Sequence, residues 1–389
     1  MNFQSQYRIM DTRIVTLDDA FNRHDMTLIE PISVVHRSHP GFVLNISGEE
    51  LVHHLYHTHP IELGGVFKSE WDNATLFGWN AIHTFINADA DFTCQDIVGT
   101  ASRVDRHLQN LPGLPYRIPG MKRSNGKVTL DFTEVPSDII CKLDDDVYFG
   151  SPIEPLNWGM WLLHCIPSAA DYVASGQKGL FGCWSKLGWQ QQLLSFMGIA
   201  AEKMFQVDEW RTHVVKRLTF RSYPNIDLYI GQKDKEIFSA IARQCLQRSD
   251  VCRSPRIFVS RQTKSMPGAA RRLANEAELS AALQAIGFVV VEPEQLSFDD
   301  QVALFASATA IVGLGGAGLF NAVFSKPGTK LVTLEASNAF IHSHANLFSS
   351  LGLDYAVVFG KRNELDDRWP HHEWTIDVPR TIAQIQRFI

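Results

Sequence analysis

The sequence lacks the features that mark nucleic-acid-binding, membrane-spanning or disulfide-rich proteins. Its 389 residues carry a formal net charge of −6 and no basic block, which argues against phosphate-backbone binding as the main activity. No apolar run approaches the roughly eighteen residues that span a bilayer. The six cysteines form no CxxC pair, so we expect reduced thiols and neither a disulfide framework nor a zinc site. The N-terminus has neither a basic start nor an apolar core, so we expect no signal peptide and a cytoplasmic protein.

The composition that is present is typical of a folded globular protein. Hydrophobic residues make up 45% of the sequence and charged residues 20%, so a buried core is expected. A chain of 389 residues exceeds the size at which a single core usually stops growing, and we therefore expect two domains. The boundary is expected near residue 230, because a regular alternation of elements begins after it.

The C-terminal part alternates short apolar runs with amphipathic segments. The apolar runs predict strands at 256–260, 288–292, 309–313 and 330–335. Strands that are apolar throughout and separated by helices predict a parallel sheet covered on both faces. The last residues have isoleucines at helical spacing, which predicts a terminal helix. The N-terminal half is less regular and reads as β-rich at first and then mixed.

A glycine-rich loop follows the third of these runs. Gly313, Gly315 and Gly318 have the GxGxxG spacing, and Glu335 closes the next apolar run, a pattern typical of dinucleotide-binding folds. In those folds the motif follows the first strand, whereas here strands precede it and only about 70 residues follow. The loop N–H groups and the helix start remain suited to phosphate. The loop therefore predicts a phosphate site, and an NAD(P)-dependent oxidoreductase stays as an alternative.

Two longer stretches carry a more specific pattern. The first reads VYFGSPIEPLNWGMWLLHCIP from residue 147, and the second runs from IFVSRQ at residue 257 through RRLANEAEL and GLGGAGLFNAVFSKPG to KLVTLE, with FSSLGLDYAVV ending at residue 358. Taken in order, these motifs resemble glycosyltransferase family 61, the inverting transferases related to plant xylosyltransferases and bacterial capsular polysaccharide enzymes. The chain departs from the family pattern at Gly315 and Met160, where histidine is usual, and at His164, where a carboxylate is usual. A catalytically degenerate scaffold or binding subunit is therefore a second alternative.

The resemblance implies an α/β fold of the GT-B type. It has two Rossmann-like domains facing a cleft, a parallel doubly wound sheet in the C-terminal domain and an extra β-rich N-terminal segment. Residues 1–230 would form the acceptor-side domain, 231–375 the nucleotide-sugar-binding domain, and 376–389 a terminal helix packing back.

The resemblance also implies the reaction and its partners. It implies inverting transfer of a hexose or pentose from a nucleoside-diphosphate sugar, with a UDP-sugar expected, and without a metal or another cofactor. The acceptor would be a glycan or a lipid-linked glycan in the biosynthesis of a surface polysaccharide such as a capsule. Nucleic acid is not an expected partner, while peripheral membrane association and the oligomeric state stay open.

The donor would be held by residues of the C-terminal motifs, as the resemblance implies. Arginine suits a diphosphate because its planar fork can bond two oxygens, and the glycine loop offers backbone N–H groups. A carboxylate at the end of a strand could accept hydrogen bonds from ribose hydroxyls. The candidate donor-binding residues are Arg261, Lys264, Arg272, Gly316, Ala317, Gly318, Asn321 and Glu335.

Inverting transfer needs a general base that removes the proton of the acceptor hydroxyl. His164, on the helix of the first motif, is the first candidate because imidazole titrates near neutral pH. Asp146 is the second candidate. It closes a run of three aspartates, which we expect in an exposed turn.

Overall fold

The computed structural model is a mixed α/β structure that divides into two compact units. The N-terminal unit comprises Met1–Ile29 and Val66–Tyr223, and the C-terminal unit comprises Glu30–Gly65 and Pro224–Ile389. The structure describes residues 10–15, 26–31, 33–47, 60–63, 66–77, 85–88, 94–98, 121–124, 127–130, 138, 140–152, 155–208, 211–221, 228–261, 271–368 and 371–389.

The strands of these ranges are numbered in chain order. The first fourteen are β1 (Met10–Val15), β2 (Met26–Glu30), β3 (Ser33–His36), β4 (Val43–Asn45), β5 (Pro60–Leu63), β6 (Val66–Phe77), β7 (Phe85–Ala88), β8 (Cys94–Val98), β9 (Met121–Ser124), β10 (Lys127–Leu130), β11 (Ile140–Phe149), β12 (Leu180–Cys183), β13 (Met204–Gln206) and β14 (Thr212–Arg221). The others are β15 (Arg256–Val259), β16 (Val289–Val291), β17 (Ala310–Leu314), β18 (Lys330–Glu335), β19 (Asp354–Phe359), β20 (Lys361–Arg362) and β21 (Trp374–Thr375).

The helices are numbered in the same way. Helix α1 consists of three consecutive segments, of which the middle one is π-helical: Trp158–Met160, Trp161–Cys165 and Ile166–Ala174. The other α-helices are α2 (Gly188–Phe196), α3 (Gln232–Arg248), α4 (Glu276–Ala285), α5 (Phe298–Ser307), α6 (Ile341–Ser350) and α7 (Val378–Phe388). Short 3₁₀ helices span Ala201–Lys203, Pro293–Gln295 and Ala317–Phe324. Within the described ranges, no helix combines the length and the apolar character that crossing a membrane requires.

The N-terminal unit is built on one mixed sheet. Its described strands run in the order β13-β12-β11-β14-β6-β7-β8-β1-β10-β9, and β2 pairs with β6. The strands β13, β12, β11 and β14 are parallel to one another, whereas β14 pairs antiparallel with β6 on its other side. The chain passes from β11 to β12 and β13, and then returns to β14 on the other side of β11. The strand order therefore reverses between β11 and β14.

The aspartate run 144–146 lies inside β11, and the exposed turn predicted for it was wrong. β11 pairs with β14, but the register shifts between Leu143 and Asp146. A β-bulge of this kind inserts extra residues into one strand and bends it locally. Asp144 and Asp145 are exposed within the strand. The bulge thus lets a sheet accommodate adjacent acidic side chains without burying them.

The C-terminal unit contains the parallel sheet that the sequence predicted. Its strands, as far as the structure describes them, run in the order β16-β15-β17-β18-β19-β4, and each adjacent pair is parallel. The strands are apolar because both faces are covered. The core on one face includes Phe258, Val312, Val332, Val358 and Trp374.

The edge strand β4 of this sheet comes from the early part of the chain. It pairs parallel with β19, from Val43 opposite Val357 to Asn45 opposite Phe359. Residues 30–65 accordingly cluster with the C-terminal unit, although the sequence assigned all of 1–230 to the first domain. Local sequence patterns carry no information about the pairing of β4 with β19, because the two strands are separated by most of the chain. The other predicted domain bounds stay a prediction.

The position of β15 determines where the C-terminal sheet can bind a ligand. The chain passes from β15 to β16 on one side and then to β17 on the other, so the strand order reverses between β15 and β17. In open α/β sheets, ligands bind outside the carboxyl ends of the strands at such a switch point. Ser260 and Arg261, which follow β15, and the glycine loop that follows Leu314 lie at this position.

The terminal helix α7 packs on the core of the C-terminal unit. Its start is capped by Asp377, whose carboxylate accepts the N–H of Arg380 at 3.0 Å, and Pro379 suits the first turn. Ile385 is fully buried in the core around the sheet, and Phe388 packs against the same core.

Candidate functional site: an anion-binding edge in the C-terminal unit

Three loops lie at the carboxyl ends of β15, β17 and β18. Arg261 follows β15, the glycine loop 315–318 follows β17, and Glu335 ends β18. Adjacent strands of this group are paired in parallel, so the three loops share one edge of the sheet. The loops after β15 and β17 flank the switch point itself.

The glycine loop passes directly into the 3₁₀ helix Ala317–Phe324. Gly316 precedes this helix at a φ of +151°, a backbone conformation that glycine adopts without strain. The first N–H to bond back is that of Leu319, which donates to the carbonyl of Gly316 at 3.0 Å. The N–H groups of Ala317 and Gly318 precede this bond and are the orphan donors of a helix start. Such groups, together with the helix dipole, favour a bound anion.

Two guanidinium groups lie over Gly316. A Cβ placed on Gly316 would be 3.6 Å from Nη1 of Arg261 and 3.5 Å from Nη2 of Arg271. The absence of a side chain at Gly316 therefore lets both cations approach the loop closely. Among the described residues, the buried Nη1 of Arg261 and the buried Nε of Arg271 have no hydrogen-bond partner. Buried polar groups are normally bonded, so an anion would complete this arrangement.

The two arginines place an excess of positive charge at this edge. Burial lowers the pKa of Arg271, the charge of Arg261 lowers it further, and the Glu335 carboxylate opposes both effects. An arginine side chain nevertheless stays protonated in a protein. The two guanidinium charges thus repel each other, and a bound anion would relieve this repulsion.

Backbone contacts hold both arginines in position. The carboxylate of Glu276, at the start of α4, accepts the N–H of Arg261 at 2.8 Å. Arg271 donates its N–H to the carbonyl of His371 at 2.9 Å, and its own carbonyl accepts Nε1–H of Trp374 at 3.0 Å. The main chain at both cations is therefore fixed before a ligand binds, which lowers the entropic cost of binding.

Glu335 lies beneath the glycine loop. Its side chain is buried, with 2% of the residue exposed, and Oε1 accepts Nδ1–H of His344 at 2.8 Å and the hydroxyl of Thr333 at 2.5 Å. Gly315 packs directly on this carboxylate, because a Cβ there would overlap Oε2. Glu335 is therefore a buried negative charge that supports the loop and faces Arg271. The contact with ribose hydroxyls stays a prediction.

Replacing Gly315 by alanine is expected to lower the free energy of unfolding by about 1–3 kcal/mol, because the added methyl group overlaps the Glu335 carboxylate. Urea unfolding of the purified protein measures this. Gly188→Ala is the matched control, since a Cβ at Gly188 meets nothing within 4 Å, and it should change stability little. The loss in free energy of unfolding caused by Gly315→Ala should be smaller when Glu335 is also replaced by alanine. An equal penalty in both backgrounds would contradict the proposed overlap.

The structure brings some of the predicted donor-binding residues together and separates others. Those that share this edge are Arg261, Gly316, Ala317, Gly318 and Glu335. Arg272 donates to the carboxylate of Glu373, so its charge is already paired. Asn321 is fully buried, and its amide donates to the carbonyl of Gly318 at 3.2 Å, which supports the loop from inside. Lys264 lies outside the described residues.

His164 lies on the helix that leaves the switch point of the N-terminal unit. It belongs to the π-helical segment of α1, a kind of turn that is frequent at functional sites, and is 5% exposed. The start of α1 is fixed by Asn157, whose side chain accepts the N–H of Gly159 at 3.0 Å. Trp161 provides a second hydrogen bond at this end of the helix, because its Nε1–H donates to the carbonyl of Pro155 at 2.7 Å. His164 thus has a rigid support.

Asp146 lies within β11, three residues before the strand ends at Phe149. Its register partner on β14 is Arg217. The pKa of Arg217 is raised, mainly by its hydrogen bond to Asp72 and to a smaller extent by the charge of Asp146. Asp146 therefore belongs to a group of charges on the sheet, whereas His164 belongs to the helix that follows.

The fold and this edge define a mixed α/β protein with a glycine loop and two arginines at a switch point of its C-terminal sheet. Residues 136–332, just over half of the chain, match the family described as Glycosyltransferase 61. The chain therefore belongs to glycosyltransferase family 61, as its motifs indicated. Membership implies an enzyme that transfers a sugar from a donor to a glycan acceptor. A comparison with curated proteins yields no match.

Sequence reasoning missed Arg271 and His344. The pattern singled out Arg272, but a φ of +57° at Arg271 turns the chain, so that the first guanidinium reaches the loop and the second pairs with Glu373. Because Arg271 and Arg272 are adjacent in the sequence, the motif could have indicated either residue as the one that binds the donor. His344 reaches Glu335 from a different element, α6, and only the tertiary fold brings the two together.

Proposed function

We propose that this protein is a cytoplasmic, inverting, metal-independent glycosyltransferase. It moves a sugar from a nucleoside-diphosphate sugar to a glycan acceptor in the assembly of a surface polysaccharide such as a capsule. The observation that carries the proposal is the convergence of Arg261 and Arg271 on Gly316 at the switch point. The GT-B arrangement of two Rossmann-like domains belongs to the same proposal.

A nucleoside diphosphate suits the charge and the shape of this edge. Each guanidinium offers a planar fork that can bond two phosphate oxygens, and the helix start adds the N–H groups of Ala317 and Gly318. Two arginines supply the positive charge that a metal ion would otherwise provide to the diphosphate. We propose a UDP-sugar as the donor.

In the proposed reaction, the acceptor hydroxyl attacks the anomeric carbon from the side opposite the leaving nucleoside diphosphate. A general base removes the hydroxyl proton, with His164 as the first candidate and Asp146 as the second. The bond between the anomeric carbon and the phosphate oxygen breaks. Arg261 and Arg271 stabilise the negative charge that develops on the leaving diphosphate. The sugar is transferred with inverted configuration.

Two alternatives have weaker support. A nicotinamide-dependent oxidoreductase would have its GxGxxG motif after the first strand of the sheet, whereas here the motif follows β17, after β15 and β16. A catalytically degenerate binding subunit would keep the anion site and lack turnover. Gly315 and Met160, which stand where the family usually has histidine, motivate this second alternative.

The proposal is tested by thermal unfolding of the full chain with UDP, GDP, CMP, NAD and NADP, each with and without EDTA. A ligand at a hundred times its Kd stabilises a protein by about 2.7 kcal/mol, so binding is readily visible. We expect one nucleoside diphosphate to raise Tm equally with and without EDTA, and the corresponding nucleotide sugar to support transfer to a glycan acceptor. Stabilisation by NAD or NADP alone would contradict the proposal, and nucleotide binding without transfer would favour the binding subunit.

A further inference from the structure

A stack of planar side chains lies beside the anion-binding loop. The rings of Phe340 and His371 have centroids 5.9 Å apart and planes inclined by 30°. The guanidinium carbon of Arg271 lies over the Phe340 ring, 5.1 Å from its centroid. Phe340 directly precedes α6, at the carboxyl side of β18. The stack therefore stands at the same edge of the sheet as the glycine loop.

Arg271 connects this stack to the phosphate-binding loop. One side of its guanidinium group is 3.5 Å from the Cβ position of Gly316, and the group also packs on the Phe340 ring. Phe340 is thus one side chain away from the loop, and His371 lies against Phe340. A nucleoside diphosphate likewise carries a planar base at one end and its phosphates at the other, joined through a single sugar ring.

The outer member of the stack is exposed and rigidly supported. His371 is exposed, whereas its neighbour His372 is fully buried and donates Nε2–H to the carbonyl of Ala336 at 2.7 Å. The carbonyl of His371 accepts the N–H of Arg271 at 2.9 Å. The backbone at His371 and at the residue that follows it is therefore held in place, and the exposed residue offers a pre-positioned aromatic ring.

The electrostatic surroundings keep the imidazole of His371 neutral at physiological pH. Partial desolvation of the ring lowers its pKa although the residue is exposed, and the nearby positive charges of Arg271 and Arg368, together with His372, lower it further. A neutral aromatic ring backed by a second ring suits stacking with a heterocycle, since stacking needs a π-face and no particular hydrogen-bond pattern.

We propose that His371, backed by Phe340, is the surface on which the nucleobase of the donor stacks while Arg261 and Arg271 hold its diphosphate. The inference rests on the proposed function and adds the part of the donor that the anion site does not bind. It assigns a binding role to two residues outside the glycine loop. Base stacking of this kind accepts any base, so donor choice among nucleotides would come from other contacts.

Calorimetric titration of the full chain with UDP and, separately, with inorganic pyrophosphate tests the inference. His371→Ala should weaken UDP binding by about tenfold, as expected for the loss of one base–aromatic contact, and should leave pyrophosphate affinity within about twofold of the parent protein. His371→Phe keeps a flat ring and should retain UDP affinity within about threefold. His39→Ala, at another exposed histidine of the same unit, is the matched control and should change neither affinity.

The possible failures of this experiment are distinguishable. If the parent protein binds UDP and His371→Ala binds it equally well, the stacking surface is wrong and the proposed function stands. If His371→Phe loses UDP as His371→Ala does, the imidazole acts through a hydrogen bond and the stacking role is overturned. If the parent protein binds neither UDP nor pyrophosphate, the anion site and the inference that rests on it both fail.

Discussion

Replacing Arg261 and Arg271 together by alanine is expected to weaken UDP binding by at least about a hundredfold. Both guanidinium groups lie within 3.6 Å of the Cβ position of Gly316, so both can reach a phosphate bound at this loop. A hydrogen bond to a charged group contributes about 1.5–3 kcal/mol, which corresponds to a factor of about 10 to 10² for each arginine. Isothermal titration calorimetry of the two single variants and the double variant measures the effect.

The free protein should tolerate the same substitutions. Burial lowers the pKa of Arg271 and the nearby charge of Arg261 lowers it further, so the two cations repel each other when no anion is bound. Removing Arg271 relieves this repulsion, so the free energy of unfolding without UDP should stay within about 1 kcal/mol of the parent value. Urea unfolding with and without UDP separates the two effects. A large loss of stability without UDP would show that the arginines serve the fold and not a ligand.

Two further arginines provide controls. Arg243→Ala, at an exposed position of α3 in the same unit, should leave UDP affinity unchanged. Arg272→Ala breaks the ion pair with Glu373 and should change UDP affinity by less than about threefold, since the charge of Arg272 is already paired. A loss at Arg272 that equals the loss at Arg271 would restore the role that the sequence motif assigned to Arg272.

Replacing His164 by glutamine is expected to lower kcat for sugar transfer by about 10²–10⁴, the range typical for the loss of a general base. The affinity for UDP should not change, because His164 belongs to the N-terminal unit and the anion-binding edge to the C-terminal unit. Glutamine approximates the size of histidine and keeps a polar group at this buried position. Steady-state kinetics with a UDP-sugar, together with calorimetry for UDP, separates the two quantities.

Two further variants of the N-terminal unit are controls for the expected loss of kcat at His164. His213→Gln changes another buried histidine, whose Nε2 accepts the N–H of Asp208 at 3.1 Å, and should reduce stability while leaving kcat unchanged. Asp146→Asn should reduce kcat by less than about tenfold, because Asp146 lies inside β11 opposite Arg217. If Asp146→Asn shows the large loss and His164→Gln does not, the two residues exchange roles. If neither variant loses activity, the base is another residue.

The architecture of the C-terminal unit could be predicted because its signals are local. Each strand there is a continuous apolar run that ends in a loop, and such runs between helices specify a parallel sheet. The same reasoning placed Arg261 and the glycine loop correctly at strand ends, since the ends of parallel strands share one edge. The addition of β4 beside β19 could not be predicted, because it depends on a long-range pairing with no local signature.

The remaining site residues depend on tertiary contacts that periodicity does not encode. Arg271 and Arg272 are adjacent in sequence, but Arg271 lies against Gly316 whereas Arg272 pairs with Glu373. The aspartate run reads as a turn from its composition, but a register shift within β11 keeps it in the sheet. The burial of Glu335 against His344 and Gly315 has no signal in the strand that Glu335 ends. In each case a neighbour from another element determines the outcome.

The position of Arg261 and Arg271 at one loop has a consequence for the proposed catalytic cycle. In the proposed reaction the leaving nucleotide retains the two phosphates that these arginines would bind, so the contacts that bind the donor would persist after the sugar has left. Only the contacts with the sugar distinguish donor from product. The enzyme would therefore release its nucleotide slowly, product would compete with fresh donor, and flux through the pathway would depend on how quickly the cell removes the spent nucleoside diphosphate.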